Sequence, residues 1–298
     1  MTASPQHTDP ALVERLRRQI EERGVLDIGG DWQPLSGGRT NRAWRVETQH
    51  GRFVVVKLYA PATDNPLFHN NPDVEGKMLN WLAGHDIAPR ILDAFKTSDG
   101  PCLVYRYISG ANWTTGVAMA ARSLYRLHHV AAPDGLPCAP DGSAALTDQT
   151  CAILDRCTSN AARAAASLAP SGLPVAPSER RMLLHGDPVP GNMIVLDGDV
   201  QYIDWQCPAI GDPCNDLAIF LSPAMQMTYR GHALSPVERE AFLVSYPCAD
   251  TVARYRVLAP WYHWRMLAYC LWRYERGDRR ARSAAQAEQI CLTQASQP

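Results

Sequence analysis

The sequence predicts an α+β fold in two lobes, a small β-rich N-terminal lobe and a larger helical C-terminal lobe. Three observations carry this. Before about residue 106, β-branched and aromatic runs are separated by turn signals. Beyond residue 110, apolar residues recur mostly at helical spacing. Among those helical stretches lies one segment, Leu183 to Phe220, with six aspartates set between apolar runs. Acidic side chains are rarely fully buried unless they are paired or bind something, so that segment is the candidate site.

The elements follow in order. Residues 9–24 read as a helix, with Asp9 as cap, Pro10 in the first turn and Gly24 at the end. Its Leu12, Val13, Leu16 and Ile20 share one face. Residues 32–61 read as β structure, with a hairpin turn at Gln49, His50 and Gly51. Residues 71–92 read as a helix with Gly84 near its end, and residues 101–110 as a further strand. Residues 114–130 and 146–169 read as helices, separated by a Pro/Gly loop over 131–145 and followed by another over 170–180. Beyond Asp212 the chain is mainly helical. The domains are therefore expected at 1–106 and 107–298, and a cleft between two lobes is a common place for a ligand.

Composition narrows the function. A net charge of −1 gives no global field to recruit nucleic acid or an anionic membrane. The N-terminus lacks a basic and apolar leader, and no 18-residue apolar run occurs, so a cytoplasmic protein is expected. The nine cysteines are scattered, without the spacing of a zinc knuckle, which favours reduced thiols.

Within the acidic segment, Met193–Leu196 and Val200–Ile203 are short apolar runs flanking Asp197-Gly198, a tight-turn signal. A two-residue turn pairs 196 with 199 and hence 192 with 203. A three-residue loop pairs 196 with 200 and hence 192 with 204. Either register leaves Asn192 and Asp204 at the open end, where opposed residues lie roughly 5 Å apart. An amide oxygen and a carboxylate so placed suit Mg²⁺, which takes few protein ligands and completes its shell with water and phosphate oxygens. Asp187, on the loop leading in, suits a carboxylate that orients a hydroxyl and accepts its proton.

The ordered motifs His185-Gly186-Asp187 with Asn192, then Ile203-Asp204-Trp205, then Gly211-Asp212-Pro213 with Asp216-Leu217-Ala218 resemble the aminoglycoside phosphotransferase and choline kinase superfamily. That resemblance implies a protein-kinase-like fold and transfer of a phosphate from ATP or GTP, with Mg²⁺, to a small-molecule hydroxyl. It implies that Asp187 is the catalytic base and that Asn192 and Asp204 hold the metal. Upstream it places Gly37, Gly38, Thr40 and Asn41 in the nucleotide loop. It pairs Lys57, which ends an apolar strand, with Glu75 beside the nucleotide phosphates. Residues 103–110 resemble the segment whose backbone meets adenine. His185, Asp212 and Asp216 read as structural: Asp212 anchoring its loop, Asp216 capping or bracing the next helix. The protein-kinase D-F-G and A-P-E segments are missing, which argues against a protein substrate and for a permanently assembled site.

The acceptor rests on an aromatic stripe, Trp261, Trp264, Arg265, Ala268 and Trp272, at helical spacing. The stripe is either core or, through Trp261 and Trp264, a wall for a cationic ammonium group. On the second reading the acceptor is choline, ethanolamine or a related amino alcohol. Alternatives are a sugar, nucleoside, thiamine-like or aminoglycoside acceptor, a pseudokinase that binds nucleotide without turnover, and a metal-dependent hydrolase.

Overall fold

Helix α1 (Pro10–Glu22) begins where Asp9 Oδ1 accepts from the Ala11 N–H at 3.0 Å. The structure, a computed structural model, describes residues 9–24, 26–35, 40–61 and 64–295. They divide into two units, the chain to Asp64 with His69–Ser109, and Asn65–Phe68 with the chain from Gly110 onward. In the first unit α1 is followed by β1 (Ile28–Pro34), β2 (Arg42–Thr48), β3 (Phe53–Leu58), α2 (Pro72–Trp81), β4 (Ile91–Thr97) and β5 (Gly100–Arg106). The strands form one antiparallel sheet in the order β1-β2-β3-β5-β4.

Strand alternation decides what each face carries. Val54, Val56 and Leu58 of β3 join Trp44, Val46 and Val104 in a core closed by Leu12, Leu16 and Ile20 of α1. Val55 and Lys57 therefore point to the opposite face. There α2 lies, its Gly76 against Leu103 and Ile91. The helix expected over 71–92 stops at Trp81. Gly84 takes a left-handed φ of +92°, and residues 91–97 pair with β5 instead. Tertiary pairing thus overrides the apolar pattern at Ile91 and Leu92.

The second unit contains β6 (Ala111–Asn112), α3 (Val117–His128), α4 (Gly142–Leu154), α5 (Asn160–Ala166), β7 (Met182–Leu184), β8 (Met193–Leu196), β9 (Asp199–Tyr202) and β10 (Ala209–Gly211). Five further helices follow: α6 (Cys214–Leu221), α7 (Pro223–Tyr229), α8 (Pro236–Ser245), α9 (Ala249–Glu275) and α10 (Ala281–Ala295). Its core gathers around α9: Trp264, Leu267, Ala268 and Trp272 meet Ile153 of α4, Ala162 and Ala165 of α5, Ile219 of α6 and Leu292 of α10.

The single helix expected over 146–169 is two helices, α4 and α5. Glu275, at the end of α9, explains the break. Its carboxylate accepts from the N–H groups of Thr158 and Ser159, each at 2.9 Å. Ser159 then caps α5, accepting from the Ala162 N–H. Short strands β7 and β10 pair antiparallel, each too brief to show a sequence period. All nine cysteines are free. Among the described residues no helix is long and apolar enough to cross a membrane.

Candidate active site

Strand β7 leads into His185-Gly186-Asp187, and three contacts fix that loop. Gly186 has φ +81°, and a Cβ there would lie 1.9 Å from the Cys207 carbonyl oxygen, so only glycine fits. His185 is fully buried. Its Nδ1 accepts from the Asp187 N–H at 3.2 Å, which leaves Nε2–H to donate to the Ile203 carbonyl at 3.1 Å. The ring packs on Trp205 at a centroid distance of 4.6 Å. His185 is thus occupied in holding the loop.

The third contact comes from Asp216. Its Oδ2 accepts from the His185 N–H at 2.8 Å and its Oδ1 from the Gly186 N–H at 2.9 Å. His128 Nε2 lies 3.2 Å from Oδ2, and His128 Nδ1 lies 2.8 Å from the Tyr246 hydroxyl. With Nε2–H donating to the carboxylate, Nδ1 accepts from Tyr246. Asp216 makes no side-chain cap on α6 and instead holds the His185-Gly186-Asp187 loop from inside that helix. Asp212 accepts from the Cys214 N–H at the start of α6 and pairs with Arg254 at 2.6 Å. The sequence gives no sign of His128 or Tyr246, which reach Asp216 from distant parts of the chain.

Beyond the loop, β8 and β9 pair with Leu196 opposite Asp199 and Met193 opposite Tyr202. This is the two-residue register. Asp197 and Gly198 have φ of +50° and +80°, as a type I′ turn requires. The Ile203 N–H donates to the Asn192 carbonyl at 2.9 Å, so Asn192 opposes Ile203 and Asp204 follows at the open end. Asn192 sits in a single 3₁₀ turn, Pro190–Asn192. Its Nδ2 donates to the Asp187 carbonyl at 3.0 Å and to Asp187 Oδ2 at 3.1 Å. That commits the amide nitrogen and turns Oδ1 away from Asp187. Asp204 has φ +66°, a left-handed backbone that is uncommon outside glycine and that Asp adopts more readily than most residues. Oxygen donors from Asn192 and Asp204 fit a hard cation that takes its remaining ligands from phosphate and water. Among the described residues no group of three or more His, Cys, Asp or Glu could hold a metal.

In the first unit Lys57 Nζ lies 2.6 Å from Glu75 Oε2, and both residues are buried. The Tyr59 hydroxyl donates to the same carboxylate oxygen. Breaking such a buried pair by removing one partner costs about 3–5 kcal/mol, whereas a surface pair contributes about 0–1. Tyr59 was legible in principle, since Val55, Lys57 and Tyr59 alternate with period two. Asn41 exchanges amide hydrogen bonds with Asn70 at 2.8 and 3.0 Å and accepts from the Ala60 N–H. Its side chain thus ties down the loop after β3. Thr40 is exposed. Gly37 and Gly38 lie outside the described residues.

Trp264 is 1% exposed in the core around α9, and its Nε1–H donates to the Ala165 carbonyl at 2.7 Å. That gives this ring to the core and corrects its reading as an ammonium wall. Trp261 is also buried, its ring edge facing Gly172. Trp264→Leu is expected to lower Tm by several degrees and leave acceptor KM unchanged, a split that thermal melts and steady-state kinetics check.

A buttressed His-Gly-Asp loop, followed by a hairpin that presents an amide oxygen and a carboxylate, defines a kinase-like phosphotransferase. Residues 31–261 match the phosphotransferase enzyme family, and the chain belongs to that family. No curated protein sequence matches it. Among solved structures it is similar to a choline kinase from Cryptosporidium parvum, with TM-score 0.64 and 14% identity over 97% of this chain and 98% of that one. It is similar to a choline/ethanolamine kinase family protein from Mesorhizobium loti, with TM-score 0.62 and 17% identity over 94% and 95%. A macrolide 2′-phosphotransferase from Brachybacterium faecium gives TM-score 0.57 and 21% identity over 93% and 98%. At these identities the shared property is the fold.

Proposed function

We propose that the protein moves the γ-phosphate of ATP or GTP to a hydroxyl of a small molecule. The observation that carries this is the hydrogen bond from Asn192 Nδ2 to Asp187 Oδ2. It fixes the Asp187 carboxylate and the Asn192 amide in one arrangement at the end of a hairpin that also bears Asp204. Phosphoryl transfer depends mainly on in-line positioning and charge neutralisation. Asp187 orients the acceptor hydroxyl and takes its proton. Asn192 and Asp204 hold Mg²⁺, which neutralises the phosphate oxygens when bound. Lys57, aimed by Glu75 and Tyr59, meets the nucleotide phosphates.

Calorimetric titration with ATP and GTP, with Mg²⁺ and with EDTA, tests the metal part. Nucleotide affinity is expected to fall at least tenfold in EDTA, and Asp204→Ala is expected to lose that metal dependence. Equal affinity in both buffers removes the metal role of Asn192 and Asp204.

Solved structures of similar fold are named for choline, ethanolamine, macrolide and fructosamine phosphorylation. The amino-alcohol reading of this chain rests on Trp261 and Trp264 and on the likeness of residues 37–41 to the choline kinase branch, and with Trp264 in the core the acceptor stays open among these classes.

A further inference from the structure

Beside the hairpin that joins β2 to β3 lies an open cavity of about 490 Å³, lined wholly by residues of the first unit. That volume falls among small-molecule sites, which run from roughly 300 to 1,000 Å³. Its apolar part is Leu26, Val54 and Leu92, which belong to or pack against the core that α1 closes. Strand pairing places two arginines of the lining. Val54 of β3 opposes Arg106 of β5, so their side chains stand on one face of the sheet. Arg52 lies two residues before Val54 and is therefore the diagonal neighbour of Arg106 on that face. Diagonal neighbours are roughly 7–8 Å apart, a spacing that two long side chains can close around one group.

Both guanidinium groups are unengaged. Neither Arg52 nor Arg106 makes a side-chain hydrogen bond or ion pair among the described residues. Elsewhere in this unit Arg15 meets Asp99 and Arg23 meets Asp93. Asp27 is the one acid in the lining, and it pairs with neither arginine. Thr48 also lines the cavity and is 8% exposed. Its Oγ1 accepts from the Arg52 N–H at 3.2 Å, and its own O–H has no acceptor among the described residues.

The cavity thus sets two cationic forks and a hydroxyl donor above an apolar floor. Two guanidinium groups against one carboxylate favour a dianion. A phosphate monoester carries about −1.5 to −2 charges at pH 7, and guanidinium groups take phosphate in paired hydrogen bonds. The kinase chemistry does not use this place. Lys57 stands on the opposite face of β3 from Val54, where it meets Glu75.

We propose that this cavity is a second ligand site, for a phosphate monoester with a small apolar body. The phosphate lies between Arg52 and Arg106 and accepts from the Thr48 O–H, and the apolar body rests on Leu26, Val54 and Leu92. The site stands whether or not the kinase reading does.

Calorimetry on the whole chain tests it, with Mg²⁺ and a non-hydrolysable ATP analogue in excess. The probes are phenyl phosphate, inorganic phosphate, benzyl alcohol and phenylacetate. Phenyl phosphate is expected to bind about tenfold or more tighter than each of the other three. Arg52→Gln and Arg106→Gln should each weaken it about tenfold, the usual loss of a hydrogen bond to a charged group. Arg18→Gln, at an exposed arginine outside the cavity, should leave it within about twofold. Arg52 and Arg106 are exposed too, so their variants should melt with the wild type. Three results overturn the proposal: phenyl phosphate binding no tighter than inorganic phosphate, binding unchanged in both glutamine variants, or binding abolished by the ATP analogue.

Discussion

Asp187→Asn is expected to lower kcat by a factor of about 10²–10⁴, the usual contribution of a general base, while Mg-nucleotide still binds. The substitution keeps the size of the side chain. An asparagine Oδ1 can still accept from Asn192 Nδ2, which now donates to Asp187 Oδ2 at 3.1 Å. The loop backbone is held independently, through His185 and Gly186. Geometry should therefore survive and only proton acceptance should be lost. Single-turnover phosphate transfer gives the rate, and calorimetry the nucleotide affinity. Near-native turnover in this variant would show that Asp187 is not the base.

The second large effect concerns stability. Asp216 has no solvent exposure, and it accepts from two backbone N–H groups while His128 reaches it at 3.2 Å. Asp216→Ala leaves those donors enclosed without an acceptor, at about 1–3 kcal/mol each. For a chain of this size that corresponds to a fall in Tm on the order of 10 °C. Activity should fall as well, because the loop carrying Asp187 loses its support. Asp216→Asn restores one acceptor oxygen but sets an N–H₂ group against the other donor, so it should fall between wild type and Asp216→Ala. Differential scanning fluorimetry of the three proteins orders them. A melt for Asp216→Ala within about 2 °C of wild type would mean that the loop is held by other contacts.

The geometry of the candidate site was legible because it is local. Asp187, Asn192 and Asp204 lie on one loop and hairpin, and the Asp197-Gly198 turn fixes their register within 18 residues. The first helix was legible for the same reason, through its cap and its apolar face. What escaped the sequence depends on partners far apart in the chain. Asp216 meets the loop's N–H groups about thirty residues back and His128 88 residues back. The break between α4 and α5 depends on Glu275. Strand β4 reads as a helix end until β5 pairs with it. The aromatic stripe of α9 gave the right helix but not its surroundings, since a period of 3.6 identifies a face without naming what covers it.

The clasp of Glu275 on Thr158 and Ser159 also sets an order of events in time. The two ends of that contact are separated by 117 residues. A ribosome adds roughly 5–20 residues per second, so the nascent elbow waits on the order of ten seconds for the group that holds its backbone N–H donors. Until then α4 and α5 have emerged without the helix that buries them, and their apolar faces are open to chaperones or to neighbouring chains. That contact cannot close before the final turn of α9 has been made, and the core it joins also takes Ala284, Ala285 and Leu292 of α10.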